Sequence, residues 1–175
     1  GLEPEVDGEF EDWSIIGHSY RITSGDLHDL VGGSQPNGED FYAELMVGWS
    51  KAQNRLYFAA QVRDDIHQID RAAGTAATQI FLDDAFQLFI DADHSGGQFA
   101  NFSELSPEEQ DNVNGTRANH FVLGGPPPDE DFFVSYSAAS WYALPDGPYT
   151  QAALVHEGEI GGTGLTRYEI SLVPF

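Results

Sequence analysis

The chain has 175 residues, with 29 Asp and Glu against 7 Lys and Arg and a formal charge of -22. A length of this order fits a single domain, and 41% hydrophobic with 13% aromatic residues excludes the composition of a disordered acidic chain. The charge excludes nucleic-acid phosphate and anionic lipid as partners, since both require clustered Lys and Arg, and the absence of Cys excludes disulfides, thiolate catalysis and zinc–thiolate or iron–sulfur sites.

Near the N-terminus, Val6-Asp7-Gly8-Glu9-Phe10-Glu11-Asp12-Trp13 reads as a turn at Asp7-Gly8 leading to a buried Trp13. Residues 41–49 alternate. Phe41, Ala43, Leu45, Val47 and Trp49 share one face, which is expected to be the buried one, so Trp49 is read as core. After a polar turn at 50–54, Leu56, Phe58, Ala60 and Val62 repeat the pattern, and the two runs predict a hairpin. A strand over 84–91 places Phe86, Leu88 and Ile90 on one face and Ala85, Gln87 and Phe89 on the other.

The best helix start is Ser106-Pro107-Glu108-Glu109, with Ser as N-cap, Pro at the first helical position and Glu109 completing a capping box. Further strands are expected at 119–123, 132–137, 150–156 and 168–173, separated by the Gly- and Pro-rich loop that includes 124–128 and by the loop 158–164. The whole predicts an all-β chain, one domain over 1–175, folded as an antiparallel β-sandwich of jelly-roll or immunoglobulin-like kind with one short helix. No apolar run approaches the roughly 20 residues of a membrane-spanning helix, so no membrane insertion is expected.

The densest chemical feature is Asp91-Ala92-Asp93-His94-Ser95-Gly96-Gly97, directly after a strand. Oxygens at alternate positions followed by Gly match the opening of a calcium loop, in which a turning backbone aims Asp91, Asp93 and Ser95 at one point. Phe102 stands where an EF-hand would place its bidentate Glu, so the loop is not a full EF-hand. The alternative is an acidic hairpin loop with Asx turns. Asp64-Asp65 and Asp83-Asp84 lie at strand ends, where they either join a shared Ca²⁺ or cap the strands; Asp64, Asp65 and Asp84 are carried as metal candidates. The remaining acids read as a solvated coat suited to a saline or extracellular medium.

Four stretches in order resemble the family 9 carbohydrate-binding modules and their wider DOMON-like relatives. They are the segment Val6 to Trp13, the hairpin from Val47-Gly48-Trp49 through Leu56 to Asp65, the strand Asp84 to Asp91 with its Gly-rich loop, and Tyr168-Glu169-Ile170-Ser171-Leu172-Val173-Pro174-Phe175. The resemblance implies a calcium-binding β-sandwich that, in sugar-binding members, clamps a terminal sugar between aromatic rings. Those members carry a Trp where this chain has Phe81, a Glu where it has Gln87, and an Arg near Asn119 or His120. The second clamp aromatic of the family follows the Pro-Phe segment, so the resemblance implies either that the C-terminal strands are missing after Phe175 or that the sandwich is completed differently.

A sugar site needs an aromatic face and convergent planar hydrogen-bonders. Trp141, Tyr142, Tyr136 and Tyr149 lie near loops and could supply such faces, with core or rim packing as the alternative; Trp141 is the one carried as a ligand residue. No nucleophile elbow, zinc-protease motif, phosphate loop or dinucleotide fingerprint appears, so no enzymatic activity is expected. The sole methionine, Met46, offers a remote axial ligand for haem and a readier role filling a gap. The expectation is a non-catalytic, calcium-binding carbohydrate-binding module of a secreted or cell-surface protein. The alternative is an adhesive or structural subunit of an extracellular filament or surface layer, self-associating through an open sheet edge.

Overall fold

The computed structural model describes residues 3–15, 21–28, 37–72, 77–91, 106, 108–109, 118–125, 132–135 and 146–174. Within them the strands are β1 (Arg21–Thr23), β2 (Phe41–Ser50), β3 (Arg55–Asp64), β4 (Ala85–Asp91), β5 (Ala118–Gly124), β6 (Phe132–Ser135), β7 (Thr150–Gly158) and β8 (Gly164–Leu172). They form a larger antiparallel sheet of order β1-β2-β3-β8-β7 and a smaller one of order β4-β5-β6. The fold is all-β and sandwich-like, as the alternation predicts.

The β2–β3 hairpin is in register from Phe41↔Asp64 to Ser50↔Arg55. Its turn ends at Asn54 with φ 50°, a left-handed conformation that Asn tolerates better than most side chains. The predicted helix start is also present. Ser106 N–H and Oγ both reach Glu109 Oε2, at 2.9 and 2.7 Å, and Glu109 N–H returns to Ser106 Oγ at 3.4 Å. Strand β1 is missing from the sequence reading, because three residues are too few to show a period.

Apolar faces of the two sheets meet in an inner layer. Ala60, Leu123, Leu154 and Tyr168 pack together beside Phe121, Ile170 and Leu172, with Phe86, Leu88 and Ile90 of β4 against them. A second layer covers the other face of the large sheet, where Trp13 seals Met46, Tyr57 and Ala59, flanked by Val6 and Phe10. Met46 thus fills an apolar layer. Two buried faces explain why Glu169 and Ser171, on the side of β8 that alternation assigns to solvent, are fully buried.

Trp49 corrects the sequence reading. It continues the inner face of β2, yet it is 62% exposed. Alternation chooses a face for a side chain but does not guarantee that another sheet reaches over it. Ile22 of β1, opposite Leu45, and Val47 of β2 are exposed as well. Trp13, in contrast, is 1% exposed, and the Asp7-Gly8 turn before it forms as read, with Gly8 at φ 85° and Glu9 N–H on Asp7 Oδ1 at 2.8 Å.

Candidate functional site

Register decides which sequence candidates face outward on the small sheet. Gln87 opposes Val122, Phe89 opposes His120 and Ile90 opposes Asn119. Phe86, Leu88 and Ile90 belong to the inner layer, so Gln87 and Phe89 point the other way. His120 shares their side, whereas Asn119 is buried on the inner side.

On the outer face, His120 Nε2 lies 2.9 Å from Gln87 Oε1. Its imidazole stacks on Phe89 with ring centroids 4.0 Å apart and planes 14° from parallel. Burial holds the His120 pKa below the usual histidine value, favouring the neutral ring. A neutral ring donating from Nε2 keeps Nδ1 as an acceptor. The Gln87 amide brings a planar donor and acceptor, and half of Phe89 remains exposed. The result is an aromatic surface edged by hydrogen-bonding groups.

The helical turn Ala77–Leu82 borders this face. Its Ile80 is fully buried and closes over Gly124, where an added Cβ would come within 2.5 Å of Ile80 Cγ2. Phe81 is the next residue of that turn; its side chain lies outside the description. Trp141, Tyr136 and Tyr142 also lie outside the described residues. Tyr149 is partly exposed just before β7, and its carbonyl accepts Val173 N–H at 2.9 Å.

The acidic candidates divide between the two ends of β4. Asp84 precedes the strand and Asp91 ends it, seven residues that span about 20 Å. Asp93 and Ser95 lie outside the described residues, as does the side chain of Asp91. Asp64, Asp65, Asp83 and Asp84 gather at the other end, where they hold the loop after β3. Asp64 Oδ1 accepts Ile66 N–H at 3.1 Å, and Asp84 Oδ2 accepts Gln68 N–H at 2.6 Å. Asp83 Oδ1 accepts the N–H groups of Asp70 and Arg71 at 2.9 and 3.2 Å, and Asp83 Oδ2 pairs with Arg71 Nε at 2.6 Å in a buried ion pair.

These bonds fit carboxylates acting as loop caps. Among the described residues no three His, Asp or Glu side chains are arranged to hold a metal ion. Burial raises the Asp84 pKa against the pull of Gln68 N–H, and the neighbouring Asp64 and Asp83 push it further up. Asp65 is raised by desolvation and by Asp40 beside it.

A cavity of about 220 Å³ opens between the sheets at this end. Its walls are apolar, with Asp64, Asp84 and His67 also lining it. His67 is buried and stacks on His156 with centroids 4.3 Å apart. The sequence carries no sign of this pair, because only the pairing of β7 with β8 and the loop after β3 bring the two residues together.

No protein-family model matches the chain, and neither the curated proteins nor the solved structures contain a match to it.

Proposed function

We propose that the chain is a non-catalytic carbohydrate-binding domain of an extracellular or cell-surface protein, and that the outer face of the small sheet receives the sugar. The observation that supports this most is the joining of Gln87, His120 and Phe89 into one surface by a 2.9 Å hydrogen bond and a 4.0 Å ring stack. A pyranose offers an apolar C–H face and a rim of hydroxyls, which match an exposed ring beside planar amide and imidazole groups. Calcium is assigned to the loop that starts at Asp91, on the spacing of Asp91, Asp93 and Ser95.

Calorimetric titration with a panel of mono- and oligosaccharides, with calcium and with chelator, tests the reading. A sugar that binds wild type should lose roughly three- to tenfold in affinity in Phe89→Ala, the worth of one aromatic stack. No binding by any sugar at millimolar concentration to folded protein would sink it.

A second reading, a self-associating adhesive subunit, draws on exposed Ile22, Val47 and Trp49 at the β1–β2 side of the large sheet. Light scattering across a concentration series tests it, and a monomer at every concentration rules it out.

A further inference from the structure

We propose that the cavity between the sheets is a second binding site, distinct from the outer face, for a small organic ammonium ion with an apolar body. Close-packed interiors seldom leave voids larger than a water molecule, and this one measures about 220 Å³ and is partly open to solvent. An apolar cavity of about 150 Å³ accepts benzene, so this volume suits roughly eight to ten heavy atoms. Phe41, Leu45, Val62 and Phe86 supply apolar walls, and Asp64 and Asp84 place two carboxylates on the same space.

The charge balance selects the ligand's sign. Among the described residues the one basic side chain lining the cavity is His67, whose Nε2 lies 3.2 Å from the carbonyl of Gly125. A carbonyl only accepts, so Nε2 carries the proton. The ring's Nδ1 lies 3.7 Å from Asp84 Oδ2 and 3.5 Å from Thr166 Oγ1, so a proton there would answer only one of the two carboxylates. Asp84 receives one backbone N–H from Gln68, and the neighbouring Asp64 adds like charge. Two carboxylates beside apolar walls favour a cation, and the walls favour one carrying an alkyl or aryl group over a hydrated metal ion. Free sugars fit poorly, since their hydroxyls would meet hydrocarbon on most sides.

The probes are 2-phenylethylamine, protonated at neutral pH, its near-isostere 2-phenylethanol, and ammonium chloride. Calorimetry and thermal shift should show the amine binding at least about tenfold more tightly than the alcohol, the size of one charge-assisted contact. Ammonium chloride should produce no shift. Ala43→Leu, which fills the cavity, should abolish binding of both organic probes. Asp84→Asn should reduce the amine to the level of the alcohol; if loss of the Gln68 contact unfolds that variant, Asp64→Asn decides with the same expected loss. Phe89→Ala should leave amine binding unchanged, which separates this site from the sugar face. The proposal is overturned by equal affinity for amine and alcohol, by no amine binding up to about 10 mM, or by binding that survives Ala43→Leu.

Discussion

The indole N–H of Trp13 donates to Oε1 of Glu169, a carboxylate buried on the outer side of β8. Its other oxygen, Oε2, accepts Asp7 N–H at 2.9 Å and Gly8 N–H at 2.6 Å. Three donors from the N-terminal segment thus converge on one side chain from the last strand. Gly8 has to be glycine here: its φ is 85°, and a Cβ would stand 2.5 Å from Val155 Cγ2. Glu169→Ala would leave three donors, two of them buried, without their acceptor and should cost about 3–5 kcal/mol. Trp13→Phe removes one donor and should cost about 1.5–3 kcal/mol. Urea denaturation of both variants measures the difference.

Glu169 also sets a pH dependence. Burial pushes its carboxyl up to about 7, against the downward pull of Gly8, Trp13 and Asp7. In the unfolded chain a Glu titrates near 4.3. Between these values the folded state holds a proton that the unfolded state has released, so this group's contribution to stability falls as pH rises. The stability of wild type relative to Glu169→Gln should therefore decline from about pH 4.3 to pH 7 and level off above. Denaturation of the pair across that range gives the slope, and a rise would contradict the assignment.

Arg71 and Asp83 form an ion pair with both side chains almost wholly buried, at 3% and 1% exposure. Asp83→Asn keeps an oxygen for the backbone donors but removes the negative charge that Asp83 sets against the buried guanidinium. The expected loss is about 3–5 kcal/mol. Arg71→Met in the same background should recover part of it, and a double-mutant cycle on unfolding free energies reads the coupling.

Trp49→Ser should change stability by no more than about 0.5 kcal/mol, because surface positions tolerate substitution. Thermal unfolding beside the Trp13→Phe variant provides the contrast between two tryptophans that look alike in sequence.

That contrast shows where sequence legibility ended. The period of two placed most strands to within a few residues and separated Gln87 and Phe89 from Phe86 and Leu88. The resemblance leaves Asn119 and His120 as equal candidates, because choosing between neighbours requires the register against β4. Coverage was harder still. Trp49 is uncovered and Glu169 is covered, and both outcomes depend on which distant segment packs on the face. The cluster of Val6, Phe10 and Trp13 in an otherwise acidic N-terminal stretch is the available sign of the second apolar layer. The cavity had no such sign, since its walls come from strands and loops scattered from Leu27 to Tyr168.

The bond from Trp13 to Glu169 joins residues 156 apart in sequence. During synthesis the N-terminal segment therefore emerges long before its anchor. Met46, Tyr57 and Ala59 lack their cover until the segment has a carboxylate to fold against, so a segment made early is among the last that can settle. Closure over such a separation is slow compared with local hairpin formation. The β2–β3 hairpin can form early and wait with one greasy face open, a period in which an unfinished chain is most exposed to its neighbours.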